Sequence, residues 1–208
     1  MADGGYDYDV FINCPFDHEY RSMRDALVFV VHDCGFQARC ALEIDDSGRV
    51  RIENIVELIR ECRYGIHDIS RTELDTENEL PRFNMPLALG LFLGATRPGS
   101  PKQKRKRSLI LDRESYRYQK YISDISGQDI KSHDGDPKTA IRQVRDWLRN
   151  STTMADTIIP GPGRIIERYE LVREEFPELC RRSHLDPDDL IFNDYTTCVS
   201  EWLKENDW

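Results

Sequence analysis

The chain lacks the short signatures that would name a common chemistry outright. It has no G-x-G-x-x-G, no P-loop, no G-x-S-x-G and no H-E-x-x-H. A dinucleotide-type Rossmann site, a P-loop nucleotidase, an α/β-hydrolase and a zincin therefore lose most of their case. The six cysteines, Cys14, Cys34, Cys40, Cys62, Cys180 and Cys198, form no C-x-x-C pair and no zinc-type spacing. Most fall in apolar runs, so they read as buried, reduced thiols. The five histidines are scattered. His67 stands beside an acid, Asp68, in a strand, and alternation there sends those two side chains to opposite faces, so no metal site is expected. No apolar run approaches the roughly 20 residues of a membrane span, and no charged-then-apolar leader opens the sequence. The expectation is a soluble, cytoplasmic protein with no membrane partner.

Basic residues are in short supply as well. Lys and Arg total 29 against 38 Asp and Glu, for a net charge of -9, which argues against nonspecific binding to nucleic acid or anionic lipid. One run opposes this average: Lys102, Lys104, Arg105, Lys106 and Arg107 lie in a Pro/Gly/Ser loop before an apolar strand. It reads as a solvated loop, with a local phosphate contact as the alternative.

What is present is a core and an order. The chain has 208 residues, 39% of them hydrophobic, enough for one domain of ordinary size with an appendage. Residues 1–5 read as a loose tail. Tyr8 to Asn13 reads as a strand, His18 to Cys34 as a helix stopped by Gly35, and Phe36 to Ile44 as a second strand closed by the turn from Asp45 to Gly48. A helix carrying Ile52, Ile55, Val56, Ile59 and Cys62 follows, then the strand Tyr64 to Ile69, a polar connection over 72–80, an apolar helix within 82–95 and the strand Ser108 to Leu111. Strands alternating with helices predict a parallel sheet covered on both faces. Residues 1–113 form this α/β core. Residues 114–208 complete it and add a helical hairpin. Ser115 to Ser126 reads as a helix or a lid, whose Tyr116, Tyr118 and Tyr121 either stack on a base or serve as ordinary core and surface aromatics. Asp136-Pro137 caps a helix bearing Ala140, Ile141, Val144, Trp147 and Leu148. After a linker over 151–163, Ile165 to Leu179 forms the first arm of the hairpin. A second arm follows the Asp186-Pro187 cap, and the pair packs either on the core or on another subunit.

Ligands of such sheets bind outside the carboxyl ends of the strands. That rule selects Asn13 to Asp17, Asp45 to Arg49, Asp68 to Arg71 and Pro81 to Ala88. The candidate binding residues are Asn13, Cys14, Phe16, Asp17, Asp45, Asp68, Ser70, Arg71, Phe83 and Asn84. The carboxylates there suit ribose hydroxyls or a developing oxocarbenium ion, though Asp45 and Asp46 serve equally well as turn residues. Cys14 is placed where nucleophiles occur, yet no histidine is positioned to activate it. In R-F-N-M-P-L-A-L-G-L-F-L-G-A, Asn84 is the expected N-cap. The helix is apolar on every side and so should be buried, with its N-terminus available to an anion.

Y-D-V-F-I-N-C-P-F-D, Y-G-I-H-D-I-S-R and R-F-N-M-P-L-A-L-G-L-F-L-G-A, followed by S-L-I-L-D, together resemble TIR-like domains and the related nucleoside 2-deoxyribosyltransferase-like proteins. The resemblance covers about the first 112 residues. It implies a flavodoxin-like fold and cleavage of an N-glycosidic bond, in TIR enzymes the nicotinamide–ribose bond of NAD, with NAD as substrate and no further cofactor. It also implies a bacterial antiviral signalling role, a homo-oligomer, and an effector protein that senses the product. In those families the helix after the third strand carries a glutamate that acts at the anomeric carbon. The matching position here is Ala88, whose methyl group neither attacks nor stabilises a cation. Either the alanine replaces that glutamate by design, trapping substrate or taming a toxic enzyme, or this is a natural relative that binds a nucleotide or a partner without cleaving. Deoxyribosyl transfer between bases is a third possibility.

Overall fold

β1, Asp9–Asn13, and β3, Tyr64–Asp68, are buried along their whole length. Central parallel strands covered on both faces need this, and each segment has an apolar centre, V-F-I in β1 and Y-G-I in β3, beside buried polar residues: Asp9 and Asn13 in β1, His67 and Asp68 in β3. The computed structural model describes residues 5–74, 80–152 and 158–206. Most of the expected tail over 1–5, the middle of the 72–80 connection and the middle of the 151–163 linker lie outside those residues. The sheet has five strands in the order β2-β1-β3-β4-β5, with β2 at Gln37–Arg39, β4 at Arg107–Asp112 and β5 at Lys131–Ser132, all pairs parallel. This is the strand order of flavodoxin-like doubly wound sheets, whose direction reverses between β1 and β3.

Alternation divides the side chains of these strands between two cores. Phe11 packs with Leu58, Ile59, Cys62 and Phe92, from α2 (Arg51–Glu61) and α3 (Asn84–Thr96). Val10, Ile12 and Ile66 face the other way, toward α1 (Arg21–Asp33) and α4 (Pro137–Ser151). Outside α1 lies a further layer, α5 (Pro162–Arg182) and α6 (Phe192–Glu205), so α1 is buried continuously from Ala26 to Asp33. The Phe29 ring of α1 meets Tyr169 at 5.5 Å and Trp202 at 6.2 Å. The C-terminal hairpin therefore packs on its own core.

Several local expectations change. The second strand is only three residues long, because Glu43 N–H bonds Cys40 O at 3.1 Å and turns the chain away from the sheet edge. Asn84 is the first residue of α3 and not its cap; Phe83 takes that position without a side-chain bond, its carbonyl accepting from Leu87 N–H at 2.9 Å. Nor is α3 buried all round. Ala88, Leu89 and Phe92 face inward, while Phe83 and Leu87 are 57% and 55% exposed. The 115–126 segment forms two short 3₁₀ helices, Arg117–Lys120 and Ser123–Ile125, in place of one continuous helix. Asp136 caps α4 as expected, accepting from Lys138 and Thr139 N–H. Asp186 instead closes a turn onto Asp188 N–H at 2.9 Å, and α6 begins only at Phe192. Among the described residues no helix is long and apolar enough to cross a membrane.

Candidate functional site

The carboxyl end of β1 opens into a cavity of about 270 Å³ beside the point where the strand order reverses. Its floor is Phe11, Ile12 and Asn13. One wall is the first turns of α2, with Arg51, Ile52 and Ile55; the opposite wall is the first turns of α3, with Asn84, Met85, Leu87 and Ala88; Phe16 and Ala41 close the sides. Two helix N-termini thus border one mostly apolar slot, with their free N–H groups and positive dipole ends beside it. Ala88, 5% exposed, stands in the second turn of α3.

Asn13 is the polar group of the floor. It pairs in register with His67 on β3, so both side chains lie on the α2/α3 side. Its Nδ2 donates to Met85 O at 2.9 Å and lies 3.2 Å from His67 Nδ1. His67 is completely buried between Phe11 and Phe92, with ring centroids 6.0 and 4.8 Å away. Burial, helped by the charge of Lys106, pushes its pKa down to about 3 and keeps the ring neutral.

Four of the expected site residues come together in this cavity: Asn13, Phe16, Asn84 and Ala88. Asp17, Arg71 and Phe83 lie near its approach without lining it. Asp17 Oδ1 accepts from Tyr20 N–H at 3.1 Å and sits 3.4 Å from Arg71, which also bonds Glu19 at 2.7 Å. Asp45 is exposed in the loop before α2.

Cys14, Asp68 and Ser70 belong to the opposite side. Cys14 is fully buried, and burial pushes its thiol well above the ordinary range, which removes the thiolate a nucleophile needs. Asp68 is likewise fully buried. Its Oδ1 accepts from Ser70 N–H at 2.8 Å, and its Oδ2 accepts from Tyr20 Oη and lies 3.0 Å from His133 Nε2. His133 Nδ1 accepts from Gly135 N–H at 3.0 Å, so the imidazole proton is on the nitrogen facing Asp68. Burial alone would raise the Asp68 pKa, but the bonds from His133, Ser70 and Tyr20 outweigh it and hold the carboxyl below its ordinary value. The sequence made Asp68 a functional candidate; its place in the fold is that of a buried tie between β3, the start of α1 and the loop after β5.

The tyrosines of 115–126 take similar duties. Tyr118 is buried, and Tyr121 Oη lies 3.0 Å from both Asp112 Oδ2 and Ile69 O, which share its one hydroxyl proton. Arg117 joins Asp112 at 2.7 Å to Ser70 O at 2.5 Å and Thr72 Oγ1 at 3.2 Å, pinning the loop after β3. Tyr116 alone remains largely exposed.

Arg51, Ile52 and Ile55 escaped the sequence reading. They belong to the helix after β2, and the rule that selected strand-end loops stopped one turn short of them. Among the described residues Arg51 is also the only ionisable side chain in the lining. The cavity therefore offers shape, an amide and a cation, and among the described residues its lining has no nucleophile and no general acid or base. Among the described residues no cluster of His, Cys, Asp or Glu could hold a metal ion. No family model matches the chain, and no curated protein matches it in sequence.

Proposed function

We propose that the chain is a TIR-like module whose cavity takes NAD or a related nucleotide, and that with Ala88 in place it binds this ligand without cleaving it. The observation that carries the reading is Ala88 itself. It stands in the wall of the slot at the sheet's reversal point, on the helix after β3, and among the described residues no group in the lining could act on an anomeric carbon. A carboxylate at this position would face a ligand enclosed by apolar walls, where charge stabilisation is strongest.

Ala88→Glu tests this directly. The expected outcome is release of nicotinamide from NAD by the variant, at least about a hundredfold above the parent protein, followed by chromatography. The parent should bind NAD in calorimetry without turnover. Binding by both proteins with no release by the variant would favour a nucleotide-binding scaffold without catalysis, a reading supported by the absence of acid–base groups in the lining. Turnover of deoxynucleosides in place of NAD would favour deoxyribosyl transfer. Signalling through a product-sensing effector belongs to the glutamate-bearing form.

A further inference from the structure

Met85 O can only accept a hydrogen bond, so the Asn13 atom 2.9 Å from it must be the amide nitrogen. That same nitrogen lies 3.2 Å from His67 Nδ1. Its second hydrogen is directed there, and the neutral imidazole receives it on an unprotonated Nδ1. Its own proton is then on Nε2, against the aromatic rings of the core, where no partner exists among the described residues. Both Asn13 N–H groups are thereby spent inside the protein. Its carbonyl oxygen is different. Among the described residues nothing donates to Oδ1, and it is not among the buried atoms left without a partner, although the residue as a whole is only 4% exposed. Asn13 lines the cavity, so the accessible part of this otherwise enclosed side chain is an acceptor at the cavity floor.

We infer that Asn13 is a specificity-determining residue: held by Met85 O and His67, it presents a fixed carbonyl oxygen that selects a ligand whose inner ring carries an N–H donor, a carboxamide rather than a carboxylate. The apolar walls suit a flat ring, and Arg51 with the two helix N-termini at the slot's edge suits phosphate. The amide cannot turn to offer a donor instead without losing its bond to Met85 O and setting two carbonyl oxygens against each other, and a carboxylate brought against its oxygen would leave both groups unpaired.

This inference rests on the nucleotide reading of the cavity, and its test separates the two. The parent protein is titrated calorimetrically with NAD and with the same dinucleotide bearing a carboxylate in place of the carboxamide. NAD should bind at least about tenfold more tightly. Asn13→Ala should bring that ratio to about one, because the acceptor that tells the two dinucleotides apart is gone. Equal binding of the two dinucleotides by the parent overturns the inference and leaves the nucleotide reading intact. If neither dinucleotide binds, the nucleotide reading falls. Benzamide and benzoate, compared by ligand-observed NMR, then decide Asn13 alone: preference for the amide upholds its role, and no preference or preference for the acid overturns it.

Discussion

His67 and Asp68 are neighbours in the chain with opposite fates. Alternation turns His67 toward α3, where it lies among rings and keeps no charge; it turns Asp68 toward α1, where three donors hold it ionised. Stability follows from the first of these. The unfolded chain protonates His67 near 6.5, whereas the fold resists protonation down to about 3. The imidazole's contribution is complete above about pH 6.5 and is lost as pH falls, at about 1.4 kcal/mol per pH unit. Urea unfolding of the parent and of His67→Gln, compared from neutral pH downward, should show the parent losing about 2 kcal/mol more by about pH 5. Parallel acid branches would refute the assignment of a neutral His67.

Between elements, the position of α3 depends on a missing side chain. A Cβ on Gly65 would stand 2.6 Å from Phe92 Cε2 and 2.7 Å from His67 Nε2. Phe92 anchors α3 to the sheet, and α3 supplies one wall of the cavity. Gly65→Ala should therefore cost about 2 kcal/mol through overpacking and weaken nucleotide binding along with it. Unchanged urea stability would mean that β3 and α3 are not in this close contact. Lys106 works at the far end of the same layer: its ammonium bonds Ile59 O and Cys62 O at the C-terminal end of α2. One residue of the expected basic patch is thus a buried cap, with its pKa pushed down to about 8 by burial.

At the scale of the whole molecule, the outer helices are part of the core. Trp202 is 1% exposed, packs on Phe29 and donates from its indole to Glu175 at 2.6 Å. Arg168 bonds Asp33 at 3.0 Å across the α5–α1 contact. Trp202→Ala should lower unfolding free energy by about 3–5 kcal/mol in one cooperative transition. A separate early transition with the main one unmoved would show that the hairpin folds apart from the sheet.

The order of strands and helices was legible in the sequence because short β-branched and aromatic runs mark the strands and apolar spacing of about 3–4 residues marks the helices between them. So was the cap at Asp136, which is a local hydrogen-bond rule. The cavity was legible in part: Asn13 and Phe16 lie at or just beyond the end of β1, and Asn84 and Ala88 in the first turns of the helix that follows β3. Local pattern failed where a distant partner decided the outcome. Asp68 reads like a ligand-binding acid until Tyr20 and His133 arrive from remote segments, and α3 reads as wholly buried although Leu87 on its outer face is exposed among the described residues. The sequence alone determined the α/β class and the absence of a carboxylate at residue 88, because periodicity and residue identity are local. Only the tertiary structure decided which side of the sheet each strand-end group serves and which atom of Asn13 is left free. Those outcomes depend on what packs beside each group, and no local pattern carries that information.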